Sequence, residues 1–265
     1  MNTENLTAGS DGRPVVVVRV AEQQWHALAD GQVVGRGDAS LRPDGRTFLS
    51  IDAWHGAVFD RLADAMLVDL PVPLYTLVDE ADRDLTAGWE RVGFTTRHRE
   101  WEYRVPTDPR TTGLDAAQPP SGVTIVPAGE ADDGLLRALD RAVREEVEAT
   151  VGWRTMPAEV LPRPLGVTVL DPSKYAVAAH SDRYVGLVRL APVTRLPRIG
   201  LIAVRADRQR CGIARALLAQ VLGSLHHAGI AAAAAEVNES NEAATALFEG
   251  VGARRVGSSL ELVCR

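Results

Sequence analysis

The order of apolar and polar residues predicts a chain in which strands alternate with amphipathic helices. Short runs of Val, Ile and Leu are typical of buried strands, whereas apolar residues spaced three and four apart are typical of a helix with one buried face. In the first half, strands are predicted at Val15–Val20, on both sides of Asp30-Gly31, and at Arg46–Ile51, Leu74–Val78 and Thr95–Val105. Helices are predicted around Ala57–Met66 and at Asp82–Val92.

The second half repeats this alternation after a segment, residues 106–122, that contains four prolines and has the composition of a linker. Beyond it, strands are predicted at Val123–Val126, Lys174–Ala179, Tyr184–Leu190, Arg198–Val204, Ala231–Val237 and Arg254–Val263, and helices at Ala131–Ala149, Ala214–His227 and Glu239–Gly250. The pattern therefore divides the chain into a disordered tail at 1–14, a unit at 15–105, the linker at 106–122 and a unit at 123–265.

The two halves align with each other, which indicates an internal duplication. At an offset of 159 positions, Val78–Gly93 lies on Val237–Gly252 with seven identical pairs. Near the preceding hairpin, Val34-Gly35 lies on Val185-Gly186 at an offset of 151. The difference means that the first copy is about eight residues shorter between its hairpin and this helix.

The interval that is shortened in the first copy contains a basic loop in the second. This loop reads Gln209-Arg-Cys-Gly-Ile-Ala214 and is flanked by Arg208 and Arg215. The start of a helix leaves backbone N–H groups unpaired and favours negative charge, and Gly212 has no Cβ to obstruct a bulky anion. The loop therefore predicts a phosphate or pyrophosphate site. The first copy reads Asp52-Ala-Trp-His-Gly-Ala57 here, without an Arg-rich turn.

Composition and charge exclude several classes of protein. A length of 265 residues suits one large or two small domains, and the net charge of −6 argues against a general binder of nucleic acid or anionic membranes. No apolar run approaches the roughly 20 residues of a membrane span. The two cysteines, Cys211 and Cys264, provide no disulfide framework, so a cytoplasmic location is expected.

The strand, loop and helix around Gly212 resemble motif A of the GNAT superfamily of acyl-CoA transferases, whose loop reads Gln/Arg-x-x-Gly-x-Gly/Ala. Gln209, Gly212 and Ala214 occupy those positions in order. The resemblance implies an α/β (α+β) fold of two tandem GNAT-like units, each a mixed β-sheet flanked by helices. It also implies that the first unit is degenerate and that the second binds acetyl-CoA. The alternatives are a solvated basic turn at the loop and an unrelated α+β domain in the first half.

The resemblance further implies which residues contact acetyl-CoA. The pyrophosphate loop would comprise Gln209, Arg210, Cys211, Gly212, Ile213, Ala214 and Arg215. The main chain of Ile202, Ala203 and Val204 would bind the pantetheine arm, which behaves like an added strand. Asn241 and Phe248, on the following helix, would complete the cofactor site. Asn241 suits the start of a helix equally well.

Phe248 departs from the family pattern Asn-x-x-Ala-x-x-Leu-Tyr, which this chain reads as Asn241 to Phe248. The family's Tyr is thought to protonate the leaving thiolate, and phenylalanine has no proton to give. A water molecule or the hydroxyl of Ser240 could replace the phenol. The substitution also favours a role without catalysis.

An acceptor amine needs a general base, because an ammonium group cannot attack a thioester. In relatives, the segment that contains Glu145, Glu146 and Glu148 borders the mouth of the acceptor site. Glu148 is the expected base; a solvated helix face or a chain of water molecules are the alternatives. Trp153 is expected either to form a wall of the acceptor pocket or to anchor its loop.

The expected function is therefore N-acetyl transfer from acetyl-CoA to the primary amine of a small molecule, by direct attack in a ternary complex. No metal, nucleic acid or membrane is expected to take part, and the protein is expected to be a monomer or a homodimer. The alternatives are a non-catalytic module that binds or senses acyl-CoA, and an acyltransferase that acts on a protein amine. The fold alone does not identify the acceptor.

Overall fold

The computed structural model describes residues 14–42, 44–150, 152, 170–191 and 196–265. The strands in these ranges are β1 (Val15–Ala21), β2 (Gln24–Ala29), β3 (Gln32–Leu41), β4 (Thr47–Ala53), β5 (Leu74–Asp79), β6 (Thr95–Pro106), β7 (Val123–Val126), β8 (Tyr175–His180), β9 (Arg183–Ala191), β10 (Arg198–Val204), β11 (Ala232–Asn238) and β12 (Arg254–Cys264). The helices are α1 (Gly56–Asp69), α2 (Arg83–Arg91), α3 (Pro109–Thr112), α4 (Asp133–Glu148), α5 (Ile213–His227) and α6 (Glu242–Glu249). Mixed sheets flanked by helices confirm the predicted α/β fold class. No helix among the described residues is long and apolar enough to span a bilayer.

The chain forms two compact units whose members are not simply its two halves. Unit 1 comprises the residues up to Arg99 together with Ser258–Arg265, and unit 2 comprises Glu100–Gly257. The grouping arises because the last strand of each predicted segment, β6 in the first and β12 in the second, pairs with a strand of the other segment. Residues Ser259–Cys264 of β12 pair with β5 in unit 1, and residues Glu100–Pro106 of β6 pair with β11 in unit 2. The segments 15–105 and 123–265 read from the sequence therefore differ from the compact units at both ends.

Unit 1 is a six-stranded sheet in the order β1-β2-β3-β4-β5-β12. All neighbours are antiparallel except β4 and β5, which are parallel. Helix α1 packs on one face through Val58, Leu62 and Met66, all at most 3% exposed. Glycine in β3 permits this close approach, because a Cβ at Gly35 would lie 2.8 Å from a Val58 methyl and one at Gly37 2.5 Å from the Met66 sulfur.

Unit 2 is a six-stranded sheet in the order β6-β11-β10-β9-β8-β7, in which only β10 and β11 are parallel. Helices α5 and α6 share one buried cluster with β11, in which Leu217 and Val251 are completely buried. Helix α4 packs on the opposite face in a second cluster centred on Leu136 and Leu187. The two sets of helices cover different faces of the sheet.

The hydrogen bonds of the two units reproduce the repeat seen in the sequence. Asp82 and Asn241 each cap a helix by accepting a bond from the N–H three residues later. The carbonyls of Trp89 and Phe248 each accept a bond from the N–H five residues later. Both pairs are related by the offset of 159. Helix α4 has no counterpart in unit 1, where only Glu22 and Gln23 separate the first two strands.

The segment predicted as a linker contributes to the core of unit 2. It contains the single turn α3, in which the Asp108 side chain accepts a hydrogen bond from Arg110 N–H and Pro109 occupies the first turn. Gly113, at φ 62°, ends the turn, and Leu114 is only 4% exposed. Proline suits the first turn of a helix as well as a flexible connection, so the prolines of this segment are compatible with its packing against unit 2.

Candidate functional site

The parallel strands of unit 2 separate part-way along their length. Strand β10 pairs with β11 only at Arg198 and Ile199, whereas its pairing with β9 continues to Val204. Beyond Ile199 the two strands do not pair with each other, so the edge of β10 that faces β11 offers main-chain donors and acceptors to a ligand. Ile202, Ala203 and Val204, predicted to contact acetyl-CoA, lie on this separated part of β10 and are half-buried.

A β-bulge marks the point where the strands separate. Ile199 pairs with Leu190 and Leu201 pairs with Arg189, which leaves Gly200 as an extra residue in β10. A bulge bends its strand and leaves one residue outside the ladder. The bend therefore accompanies the opening of a gap between β10 and β11.

The loop that follows β10 occupies residues 205–212 and leads into α5. Gly212 is the N-cap of α5 with φ 86°, and no side chain caps the helix. A Cβ added at Gly212 would meet no atom within 4 Å, so the space beside the helix start is open. Gln209 donates a hydrogen bond from its side chain to the carbonyl of Val204 at 3.2 Å, which folds the loop against the strand end. This geometry fits an anion at the start of α5.

The cations around the loop differ in what they contact. Arg215, in the first turn of α5, donates hydrogen bonds to the carbonyls of Gly250 and Gly113, both at 3.3 Å. Arg208 lies 3.7 Å from Asp207. Arg210 is exposed at φ 59°, and none of the described carboxylates forms an ion pair with it. Arg210 is therefore the loop cation whose charge is most available to a phosphate.

Three further predicted loop residues lie at the start of α5. Ile213 is 2% exposed and packs beneath the helix, whereas Ala214 is half-buried. Cys211 is exposed, and its thiol lies 3.3 Å from the carbonyl of Gln209. The unpaired N–H groups of this first helical turn are what it offers to an anion, and the assignment of Ile213, Ala214 and Cys211 to acetyl-CoA stays a prediction.

Glu146 holds the beginning of the loop. Its carboxylate accepts a hydrogen bond from Arg205 Nε at 2.6 Å and another from the Ala206 N–H at 2.8 Å. The two contacts join α4 to residues almost 60 positions later in the chain. The sequence placed Glu146 among three glutamates near the acceptor mouth but gave no indication of this contact, because its partners are distant in sequence.

Glu148 and Trp153, predicted to serve the acceptor, are not brought to the gap by any described contact. Glu148 is the last residue of α4 and is exposed. Trp153 lies outside the described residues. Both assignments stay predictions.

Asn241 and Phe248 are positioned by α6. The side chain of Asn241 accepts a hydrogen bond from the Ala244 N–H at 3.0 Å, so it serves as the N-cap of the helix. Phe248 is 3% exposed and stacks on Tyr103, with 6.1 Å between ring centroids. The Tyr103 hydroxyl donates to Glu249 and accepts from Arg255, at 2.9 and 2.8 Å. That hydroxyl is therefore already bonded to two side chains.

Glu236 is a carboxylate at the gap that the sequence analysis missed. It follows Ala235, which is the last residue of β11 that pairs with β10. Its carboxylate accepts a hydrogen bond from Arg198 at 2.9 Å. Its side chain is 33% exposed. Alternation along β11 places Glu236 on the face opposite α5, because Ala235 and Val237 belong to the α5 cluster. A glutamate within a run of alanines was the signal that could have identified it.

A buried polar cluster lies between α4 and the sheet. Arg144 donates a hydrogen bond to the buried Asp140 at 2.6 Å, and Tyr175 hydrogen-bonds to Arg189, its neighbour on β9. Burial raises the pKa of Tyr175, an effect that Arg189 opposes and Asp140 supports. The phenol therefore stays protonated at neutral pH. Among the described residues, no group of His, Cys, Asp and Glu is arranged to hold a metal ion.

The separated strands, the bulge and the open helix start lie within a stretch that matches one protein-family model. Residues 145–262 match the acetyltransferase (GNAT) domain. This stretch of the chain is a GNAT domain. It contains the bulge, the loop at 205–212, α5, β11 and α6.

The similarity to solved structures extends beyond residues 145–262 and covers most of the chain. A GCN5-related N-acetyltransferase from Sphaerobacter thermophilus is 20% identical, with a TM-score of 0.62 over 93% of this chain and 82% of its own. A tandem GNAT protein from the clavulanic acid biosynthesis pathway is 17% identical, with a TM-score of 0.64 over 91% of this chain and 82% of its own. A GCN5-related N-acetyltransferase from Kribbella flavida is 14% identical, with a TM-score of 0.59 over 95% and 89%.

These identities show a shared fold, and coverage of this extent includes both units. The tandem arrangement with a degenerate first copy is consistent with the second of these structures. A search of curated protein sequences finds no match to this chain. The GNAT domain therefore supports an acyltransferase in general terms, and its acceptor has to be inferred from the site itself.

Proposed function

We propose that the protein transfers an acetyl group from acetyl-CoA to the primary amine of a small molecule. One observation carries the proposal: β10 and β11 separate after Ile199 and the loop from this gap ends at an open, uncapped helix start. The gap suits an extended arm that pairs with a strand edge, and the helix start suits a pyrophosphate. Coenzyme A combines these two features in one molecule.

Residues of unit 2 divide the binding of acetyl-CoA between them. The main chain of Ile202, Ala203 and Val204 pairs with the pantetheine arm. The N–H groups at Gly212–Arg215 and the charge of Arg210 bind the pyrophosphate. Because Gly212 has no side chain and open space beside it, the phosphates can approach the backbone closely.

Glu236 is the residue best placed to accept the proton of the acceptor amine. One carboxylate oxygen accepts from Arg198, and no described residue donates to the other. In the transfer, the amine nitrogen forms a bond to the acetyl carbon, its proton passes to Glu236, and the carbon–sulfur bond breaks to release the thiolate of coenzyme A. A main-chain N–H of β10 near the bulge stabilises the charge that develops on the acetyl oxygen.

The proton that restores the thiol comes from water in this proposal. Phe248 has no proton to donate, and the Ser240 hydroxyl is already bonded to Asn238 at 2.6 Å. The same observation supports a second candidate function, a module that binds acyl-CoA without catalysis. With either function, we expect the protein to act in the cytoplasm as a monomer or homodimer, without binding nucleic acid or a membrane.

Calorimetric titration with acetyl-CoA, followed by an assay for released thiol, distinguishes the two functions. The proposal predicts one tight site per chain and slow loss of the thioester that quickens when amines are added. A tight site whose thioester survives a broad panel of amines would favour the binding module instead. Two sites per chain would contradict the assignment of a degenerate first unit.

A further inference from the structure

We propose that Asn238 holds the pantetheine arm of acetyl-CoA from the side of β11, by donating a hydrogen bond from its amide nitrogen to the amide carbonyl nearest the thioester. This side-chain contact adds to the main-chain contacts that β10 offers on the other side of the gap. The family resemblance assigned a cofactor contact to Asn241 instead, three residues later. The inference rests on the proposed function, because it requires acetyl-CoA to lie between β10 and β11.

Asn238 has a buried donor for which the protein provides no acceptor. The residue is only 7% exposed, and its side-chain oxygen accepts hydrogen bonds from the N–H and the hydroxyl of Ser240, at 3.0 and 2.6 Å. The backbone N–H fixes the orientation of the amide, because only an oxygen can accept from it. The amide nitrogen is out of contact with solvent and has no partner in the described part of the chain. A ligand oxygen is therefore its expected partner.

Unit 1 forms the same turn without this donor. At the offset of 159, Asn238 corresponds to Asp79, whose side chain accepts a hydrogen bond from the Ala81 N–H at 2.9 Å. The main-chain carbonyls of Asp79 and Asn238 each accept a bond from the N–H three residues later. A carboxylate therefore satisfies the bonds that the turn requires. The amide nitrogen of Asn238 is not needed for the turn, and it occurs in the copy that has the loop at 205–212.

The neighbours of Asn238 in the sheet direct its amide nitrogen to the gap. Glu100 of β6 lies directly opposite Asn238, but it takes no hydrogen bond from this nitrogen. On the other side, β11 pairs with β10 only as far as Ala235. No hydrogen bond between these two strands has to break for an extended arm to enter beside Asn238. The gap is therefore where the nitrogen can meet an acceptor.

The spacing along β11 indicates which part of acetyl-CoA reaches Asn238. Glu236, the proposed base, lies two residues earlier on the same face, about 6.6 Å away at the rise of a strand. Five bonds lead from the acetyl carbon through the sulfur to the first amide carbonyl of the arm, and an extended chain covers about 6 Å in five bonds. Both strands run toward their loops in parallel, so the arm and β11 advance in the same direction. With the thioester beside Glu236, the first amide carbonyl lies beside Asn238.

Asn241 is less suited to this contact. Its side-chain oxygen accepts the capping hydrogen bond from the Ala244 N–H, and the residue is exposed. Its amide nitrogen can therefore bond to water, and a hydrogen bond exchanged for one with water adds little to affinity. Water does not compete in this way at Asn238, so a carbonyl that reaches it satisfies a donor that is otherwise unpaired.

Asn238→Asp tests the contact with the smallest structural change. The variant keeps the oxygen to which Ser240 donates and gives unit 2 the turn of unit 1, but it removes the donor. Calorimetry at about pH 8, where the new carboxyl group is ionised, should show Kd for acetyl-CoA raised about tenfold or more, because two oxygens then face each other. Asn238→Leu, which removes the donor without adding charge, should raise Kd about fivefold or more. An unchanged Kd in both variants would overturn this inference and leave the proposed function intact.

Two controls separate a contact with the arm from a general loss of structure. The compound 3′-phospho-ADP carries the phosphates of coenzyme A without the arm, so its Kd in Asn238→Leu should stay within about twofold of the wild-type value. Ser240→Ala removes one bond of the turn but keeps the donor, and it should change Kd for acetyl-CoA by less than about twofold. Equal weakening of both ligands in Asn238→Leu, or equal weakening by Ser240→Ala, would refute the contact.

NMR of the side-chain amides detects the hydrogen bond without requiring turnover. The Asn238 amide resonances are those missing from the spectrum of Asn238→Asp. They are expected to shift when acetyl-CoA is added to the wild-type protein and to stay in place with 3′-phospho-ADP; resonances that acetyl-CoA leaves in place would refute the contact. An unchanged Kd for acetyl-CoA with a raised KM for amines in Asn238→Leu would assign the residue to the acceptor and overturn the inference. A wild-type protein that does not bind acetyl-CoA would refute the proposed function itself.

Discussion

The two units contain the same gap and treat it differently. In unit 1 the parallel strands β4 and β5 pair only at Thr47 and Phe48 and then part, as β10 and β11 do after Ile199 in unit 2. In unit 1, however, the Thr76 hydroxyl donates a buried hydrogen bond of 2.9 Å to the carbonyl of Leu49. A side chain of β5 therefore bridges the place where a ligand would pair with the strand.

The corresponding position in unit 2 has no such group. At the offset of 159 residues, Thr76 corresponds to Ala235, whose methyl group cannot donate a hydrogen bond. Strand β10 has a bulge at Gly200, whereas β4 pairs with β3 without a register shift. One hydroxyl and one bulge thus distinguish the gap of unit 1, which is bridged by a side chain, from the gap of unit 2, which we propose to hold the pantetheine arm.

The loops that leave the two gaps differ even more. Only Trp54 and His55 separate β4 from α1, whereas eight residues, 205–212, separate β10 from α5. Trp54 is 90% exposed, and this short connection carries no arginine. The position of Glu236 is taken by Leu77. The first copy therefore keeps the fold and its separated strands but lacks the loop that we propose for the pyrophosphate.

Gly212→Trp should produce the largest effect, because the indole would occupy the space beside the start of α5. Calorimetry should show that acetyl-CoA binding weakens by about 100-fold or more, which corresponds to about 2.7 kcal/mol. Gly212→Ala separates bulk from backbone strain, since a non-glycine residue in the left-handed region costs about 1–2 kcal/mol. Gly56→Trp, at the start of α1, should leave binding unchanged. Tight binding by Gly212→Trp would refute the loop assignment.

Ala235→Thr should make the gap of unit 2 resemble that of unit 1. The new hydroxyl is expected to bond a carbonyl of β10 and to weaken acetyl-CoA binding by about tenfold, which is the value of one hydrogen bond. Ala235→Val has nearly the same shape without the hydroxyl and controls for overpacking. If both variants bind acetyl-CoA equally well, the hydroxyl bridge between the strands does not explain why unit 1 is expected not to bind acetyl-CoA.

Glu146→Gln should have a smaller effect, because it weakens the attachment of the loop without changing its length. The ion pair with Arg205 is about one-quarter exposed on each side, so about 1 kcal/mol, or roughly fivefold in Kd, is expected. Glu145→Gln, on the exposed side of α4, is the matched control. An identical Kd for both variants would show that the loop is ordered without Glu146.

Phe248→Tyr should have the smallest effect on acetyl-CoA binding. It tests whether a phenol at this position can protonate the leaving thiolate. The site corresponds to Trp89 in unit 1, where no transfer is expected. Because thiolate is a fair leaving group, turnover should be retained or raised when a phenol is restored, with Kd for acetyl-CoA changed by less than about twofold. The measurement is single-turnover release of thiol. A complete loss of turnover would show that position 248 packs differently from the family's tyrosine.

The sequence predicted the features that depend on neighbouring residues. Local patterns predicted the loop at Gly212, the cap at Asn241 and the internal repeat, because helix starts and periodicity are local properties. The GNAT resemblance then supplied the fold. Phe248 was recognised as a departure from the same pattern.

Contacts between distant residues could not be predicted in this way. Glu146 reaches Arg205 and Glu102 lies opposite Glu236 only because strands and helices far apart in sequence are packed together. Strand pairing also decides that β6 and β12 belong to the units in which they are found. Alternation along a strand indicates which face a residue occupies but does not identify the partner strand.

The position of β12 has a consequence for biosynthesis. Asp79 of β5 pairs with Ser259, so the ribosome adds 180 further residues before this partner exists. At about 5–20 residues per second, the edge of β5 waits roughly 10–35 seconds for its neighbour. An unpaired edge strand is a template for pairing with other chains. The nascent protein is therefore most vulnerable to aggregation while unit 2 is being synthesised, and a chaperone that covers β5 during that interval should increase its yield.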